Sequence, residues 1–168
     1  MCNIYLVGFM GTGKTETAKL LAKQLKRVFV DMDDLIEAKE KMLISEIFKA
    51  KGEPYFRKIE KEVVAELANK TGLCIACGGG AFAIQDNIDL MKKSGIVICL
   101  TSSPETVLRR TQSSTHRPLL SVTDPKSKIE ALLKEREPFY AQAHYKIDAD
   151  QLSVAQTAQR ALSCLDLK

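Results

Sequence analysis

The sequence predicts an α/β fold in which a parallel sheet of five strands is covered by helices on both faces. Three observations carry this. Apolar runs of strand length recur at residues 3–7, 28–30, 73–76, 96–100 and 145–147. Segments with apolar residues at helical spacing fill the gaps, and strands alternating with helices imply a parallel sheet buried on both sides. The first run leads directly into "GFMGTGKT" at residues 8–15, and a helical pattern follows it, the context that a phosphate-cradling loop requires.

Asn3, Ile4, Tyr5, Leu6 and Val7 suit a buried strand. From Thr15 onward Ala18, Leu21, Ala22 and Leu25 share one helix face while Lys19, Lys23 and Lys26 point elsewhere. The second strand, "RVFVD", ends on Asp31; Asp34 is then placed to cap the next helix and Ser45 a short one after it. Pro54 opens a longer helix carrying Phe56, Ile59, Val63 and Leu67, stopped near Gly72. Ser103-Pro104 and Asp124-Pro125 repeat the same start signal, and Ser153 can cap a last helix with Val154, Ala158, Ala161, Leu162 and Leu165 on one face. Pro138 is expected to interrupt the helix behind Arg136 and bring that arginine toward a cleft. Residues 111–124, "TQSSTHRPLLSVTD", are polar and aperiodic between two helices, which reads as a lid. No repeat, low-complexity tract or linker divides the chain, so residues 1–168 read as a single domain.

Composition excludes several classes. With 168 residues, 45% apolar and 27% charged, the chain can bury a real core. The net charge of +4 is modest and the lysines are interspersed with glutamates, a solvated pattern rather than a nucleic-acid stripe. No apolar run reaches membrane-spanning length and the N-terminus lacks the basic leader of a signal peptide, so a cytoplasmic protein with no membrane partner is expected. Five cysteines and two histidines argue against a disulfide framework and a structural zinc site. Cys74 and Cys77 spell C-x-x-C, but in a strand residues three apart face opposite sides, so two buried small side chains are expected rather than a redox pair.

Ligands on parallel sheets bind at the carboxyl ends of the strands. After the first strand, Gly8, Gly11 and Gly13 let backbone N–H groups and a helix N-terminus converge on anionic oxygens, with Lys14 adding charge and Thr15 a hydroxyl for Mg²⁺. After the second comes Asp31, a candidate to hold Mg²⁺ or its waters beside Thr15. Asp33 is a candidate to accept a proton from a substrate hydroxyl. After the third come Gly78, Gly79 and Gly80, whereas the fourth ends in Thr101, Ser102 and Ser103 without an acid. Arg57 and Glu60 are three apart on one helix face, so the carboxylate can orient the guanidinium. Arg57 and Arg136 together would hold a carboxylate through planar forks that match its oxygens. Arg117, within the lid and near Arg109 and Arg110, can meet charge developing on a transferring phosphate.

The ordered set "GFMGTGKT", "DMDDLIE", "FRKIE", "CGGGA", "RRT" followed by "RPLL", and "EREPFY" resembles the shikimate kinase family over nearly the whole chain. The resemblance implies MgATP-dependent phosphorylation of the 3-hydroxyl of shikimate, on the route to aromatic amino acids. It also implies a P-loop fold similar to the nucleoside monophosphate kinases, a three-layer sandwich with sheet order 2-3-1-4-5 and a mobile lid. Carried over by position, it assigns Gly11, Thr12, Gly13, Lys14, Thr15, Glu16, Arg110 and Arg117 to ATP, and Thr15 and Asp31 to the metal. Asp33, Arg57, Glu60, Gly78, Gly79, Gly80 and Arg136 fall to the acceptor, with Lys14, Asp33 and Arg117 catalytic. The family resemblance further implies a monomer with ATP and shikimate as its partners and no nucleic acid. Two departures stand out: the lid has no glycine, and "DADQLSV" lacks a proline expected near the adenine edge.

The nearest alternative is another small-molecule kinase, such as a gluconate kinase, which needs the same loop, acid and lid. A GTP switch fits less well, because "NKTG" at residues 69–72 lacks the aspartate of the guanine-reading motif and stops a helix instead. A catalytically inactive nucleotide-binding regulator would be expected to have lost Lys14, Asp33 or an arginine of the acceptor set, and all are present.

Overall fold

Every residue of β1 (Asn3–Gly8) is buried, and its side chains alternate between two separate cores. Tyr5 and Val7 pack on one face of the sheet, Ile4 and Leu6 on the other, as a strand covered on both sides requires. In the computed structural model, which describes residues 2–111 and 124–166, β1 lies at the centre of a five-stranded sheet. The other strands are β2 (Val28–Asp31), β3 (Leu73–Ala76), β4 (Gly95–Thr101) and β5 (Tyr145–Asp148). The order is β2-β3-β1-β4-β5 and every neighbouring pair is parallel, with Leu6 level with Ala76 on one side and Ile98 on the other.

Helices α1 (Lys14–Leu25) and α7 (Val154–Asp166) cover one face, where Ala18, Leu21, Ala22, Ala158 and Ala161 meet Ile4, Leu6, Ile98 and Ile147. On the opposite face lie α2 (Met32–Glu40), α3 (Ile44–Ala68), α4 (Gln85–Ser94), α5 (Pro104–Thr111) and α6 (Pro125–Tyr140), whose buried residues share a core with Tyr5, Val7, Ile75 and Val97. The result is the three-layer α/β sandwich with the sheet order implied above. Cys74 and Cys77 fall in opposite cores and are free thiols, as strand alternation dictates. No helix among the described residues is long and apolar enough to cross a membrane.

Four local expectations are corrected. Asp34 does not cap α2; Asp31 does, accepting from the Asp33 N–H at 3.0 Å, because α2 begins at Met32, directly after the strand and with no loop between them. Ser45 lies inside α3, whose first turn is closed by the Leu43 N–H donating to the Glu46 carboxylate at 2.9 Å. The helix starting at Pro54 is joined to the one before it, and the break falls at Gly52, whose φ of 80° and ψ of 170° lie where side-chain-bearing residues are strained. Pro138 does not end α6, which continues to Tyr140. Arg136 is drawn inward because it shares a face with Ile129, Leu132 and Tyr140, all buried. Residues 112–123, including Arg117 and the body of the expected lid, lie outside the described residues; Thr111 ends α5 and Asp124 caps α6, accepting from the Ser127 N–H at 3.2 Å.

Candidate active site

The carboxyl ends of β1, β2 and β3 stand side by side, so the loops that leave them must meet. The loop after β1 turns into α1 through Gly13, in the left-handed region at φ 89°, where a side chain would be disfavoured. This leaves the first N–H groups of α1 and its positive end facing the loop. Phe9 is buried beneath the loop, and its carbonyl accepts from the Thr12 hydroxyl and the Lys14 ammonium, each at 2.8 Å. Lys14 therefore lies folded over the loop. The Thr15 hydroxyl donates to Asp31 Oδ2 at 3.0 Å, while Asp31 Oδ1 is fixed by the Asp33 N–H. One carboxylate thus links the loop of β1 to the exit of β2.

The glycine triplet after β3 creates the space between the remaining groups. A Cβ on Gly78 would stand 2.8 Å from Asp33 Oδ1 and 3.1 Å from Glu60 Oε1. One on Gly80 would stand 2.8 Å from both Cζ and Nη2 of Arg57, and one on Gly79 would stand 3.5 Å from the Met10 N and 3.8 Å from Arg136 Nη1. Glycine at 78 and 80 is what lets an acid, a buried glutamate and an arginine close on one strip of backbone, whereas a Cβ at 79 would meet only ordinary contacts. The Gly79 carbonyl accepts from Arg136 Nη1 at 3.0 Å and from the Tyr140 hydroxyl at 2.8 Å, and the Arg136 guanidinium sits 5.4 Å over the Phe9 ring.

Arg57 Nη1 donates to Glu60 Oε2 at 2.9 Å. Burial raises the Glu60 carboxyl above the usual carboxylate range, with Arg57 and Arg136 pulling it down and Asp33 pushing it up. The second oxygen, Oε1, is buried with no hydrogen-bond partner among the described residues and faces the Gly78 backbone near Asp33. Burial lowers the Arg57 pKa, but Glu60 and Glu53 outweigh it and leave the guanidinium more firmly protonated than usual.

A cleft of about 320 Å³ adjoins the loop, bordered by Gly11, Thr12, Gly13, Glu16, Thr17 and Arg110, and on the far side by Ala149, Leu152, Ser153, Val154 and Thr157. Arg110 spans it, donating to the carbonyls of Gly11 at 3.2 Å and Ala149 at 3.4 Å. A second opening is formed by Gly11, Gly13, Lys14, Thr15, Glu16 and Arg110. Among the described residues, the sequence-derived candidates therefore fall into two adjoining groups. One surrounds the glycine triplet and the other borders the loop and its cleft. Sequence reasoning passed over Phe9 and Tyr140, and placed residues 148–154 near the adenine edge without naming Ala149, Leu152 or Thr157 as a wall. Tyr140 was within reach of it, lying one turn beyond Arg136 on the same helix face, and the cleft wall follows β5 where strand ends bind ligands.

A glycine-rich phosphate loop on a five-stranded parallel sheet, opening onto a second group of arginines and carboxylates, defines a P-loop kinase acting on a small molecule. The family model described as shikimate kinase matches residues 10–166. A shikimate kinase of Sulfurihydrogenibium sp. (strain YO3AOP1) is 45% identical over 97% of this chain and 97% of its own. One from Thermoanaerobacter pseudethanolicus is 43% identical over 96% and 95%. A solved shikimate kinase from Acinetobacter baumannii, in complex with shikimate, superposes with a TM-score of 0.96 at 41% identity, covering 99% of this chain and 94% of that one. The chain belongs to the shikimate kinase family. A gluconokinase from Sinorhizobium meliloti also superposes, with a TM-score of 0.65 over 99% of this chain and 92% of that one, but at 16% identity it shares the fold alone.

Proposed function

We propose that this chain phosphorylates the 3-hydroxyl of shikimate at the expense of ATP, and that the residues gathered around the phosphate loop and the glycine triplet do the work. The chain is a phosphotransferase with an alcohol acceptor, and the gluconate kinase and inactive-regulator alternatives are not favoured. The observation that carries the division of labour is the pair of adjoining groups: a cation-lined loop for the donor phosphates, and two guanidiniums beside a carboxylate for an acceptor bearing both a carboxylate and hydroxyls.

In this reading the nucleobase and ribose occupy the cleft spanned by Arg110, and the phosphates lie over Gly11, Thr12, Gly13, Thr15 and Glu16. Lys14 leaves the Phe9 carbonyl to meet the γ-phosphate. The acceptor's carboxylate lies on Arg57 and Arg136, with Glu60 holding Arg57 and Gly78, Gly79 and Gly80 leaving room for the ring. The acceptor oxygen bonds to the γ-phosphorus, the bond to the β–γ bridging oxygen breaks, ADP leaves, and the hydroxyl proton passes to Asp33. Positioning and charge stabilisation supply most of the acceleration in such a transfer. Arg117 and the segment 111–124 are assigned to cover the phosphates on sequence grounds.

The Thr15 hydroxyl and Asp31 carboxylate, 3.0 Å apart, suit Mg²⁺, which takes few protein oxygens and fills its octahedron with water and phosphate. Among the described residues no cluster of three or more His, Cys, Asp or Glu could cage a metal by itself, which agrees with that mode. When bound, the ion would neutralise charge on the phosphates. We further propose that residues 1–168 act as one domain, monomeric and cytoplasmic. A coupled assay of ADP release with shikimate, with gluconate and with no acceptor tests the reading. Release dependent on shikimate alone is expected; equal release without acceptor, or preference for gluconate, would overturn it.

A further inference from the structure

Glu53 has no part in the roles above, yet it holds the arginine on which the acceptor depends. Its Oε1 accepts from both Nε at 3.2 Å and Nη2 at 2.8 Å of Arg57, while Nη1 donates to Glu60. The remaining end of the fork, between Nη1 and Nη2, is backed by Gly80, whose absent Cβ would stand 2.8 Å from Cζ and Nη2 and closer still to Nη1. A carboxylate recognises a guanidinium best through two parallel N–H bonds along one edge. Of the two edges of Arg57 that offer this, one abuts glycine backbone and the other is in the hold of Glu53.

We propose that Glu53 is a built-in stand-in for the acceptor's carboxylate, occupying the Nε–Nη2 edge of Arg57 until the acceptor displaces it. The inference rests on the reading that Arg57 binds that carboxylate. The two glutamates differ in the way this requires. The side chain of Glu60 is 1% exposed and that of Glu53 is 49% exposed. Removing the partner of a buried carboxylate is costly, whereas an exposed pair contributes little and is exchanged readily. Glu53 also directly follows Gly52, where the helix is broken, so it sits at the start of a helical segment rather than within a continuous turn. Exchange of one carboxylate for another leaves the charge at Arg57 balanced before and after binding. An acceptor with a neutral head cannot make the exchange and leaves Glu53 in place on Arg57.

Occupancy by a competitor weakens apparent affinity by the fraction of time the site is free. For an exposed pair of ordinary strength, Glu53→Ala should therefore lower the KM for shikimate about two- to fivefold. Glu53→Gln, which keeps an oxygen but no charge, should fall between the two, with kcat and the KM for ATP unchanged in both. The inhibition constant of shikimate methyl ester, which carries no carboxylate, should not move. A raised shikimate KM in Glu53→Ala would show that Glu53 positions Arg57 instead and would overturn the proposal, as would an unchanged KM or an equal shift for acid and ester. Arg57→Ala separates this from its premise: if that variant leaves the shikimate KM unaltered, the assignment of Arg57 fails first.

Discussion

A methyl group on Gly80 would press on the far end of a flexible side chain, the Arg57 guanidinium, rather than on backbone. Its cost should therefore appear in function and not in stability. Gly80→Ala is expected to raise the acceptor KM about tenfold or more, the scale for losing one charged recognition contact, while the thermal midpoint stays close to that of the parent. A large drop in the midpoint would mean that the triplet serves packing first. Asp31 and Asp33 separate more sharply. Asp31 is committed on both oxygens, to Thr15 and to the Asp33 N–H, and that second bond fixes the backbone of Asp33 whatever its side chain. Asp33→Asn should thus keep equilibrium ATP binding and slow single-turnover transfer about 10²-fold, the usual scale for a positioned base. Lost ATP affinity with intact transfer would exchange the roles of the two acids. The acids themselves were legible from their place after a strand. Which of them caps α2 was not, because the cap depends on where the helix starts, and α2 follows β2 with no intervening loop.

At the scale of elements, the break in α3 decides where the acceptor arginine stands. The sequence marks a second helix start at Pro54 and reads two helices; packing joins them, because Ile47 before the break and Phe56, Ile59 and Val63 after it enter the same core. The Phe48 and Phe56 rings meet across the break at 4.8 Å. Gly52→Ala should cost about 1–3 kcal/mol of unfolding free energy in urea, the price of a side chain in that backbone region. A neutral result would mean that the break relaxes without strain. In α6 a local rule gave the wrong geometry. Pro138 was expected to end the helix, but the buried face formed by Ile129, Leu132, Arg136 and Tyr140 keeps it going to Tyr140, and it is that face, not the proline, that carries Arg136 inward.

For the whole molecule, two sealed cores set the response to alkali. Burial pushes the Cys74 thiol up to about 12, the Cys99 thiol to about 11 and the Tyr140 phenol to about 12, and raises Cys77 well above its usual range. Groups whose pKa is raised by folding contribute stability that is fully present below their unfolded pKa and is lost as pH rises through the folded one. Unfolding free energy should therefore begin to fall above about pH 8.5, where unfolded thiols ionise, and continue falling toward the folded values. Cys74→Ala and Cys99→Ala should each flatten that slope in urea titrations; an unchanged slope would remove the thiols from the effect. The sequence by itself determined the alternation of strands and helices, the phosphate loop and the residue types of both groups, because periodicity, glycine spacing and strand-end position are local properties of a chain. Only the tertiary structure decided that Tyr140 and Arg136 share the Gly79 carbonyl, that Glu53 occupies an edge of Arg57, and that Glu60 is sealed with one oxygen unpartnered among the described residues. Those relations join residues far apart in the chain or set a side chain's surroundings, and such contacts depend on how the layers close over the sheet, which no local pattern encodes.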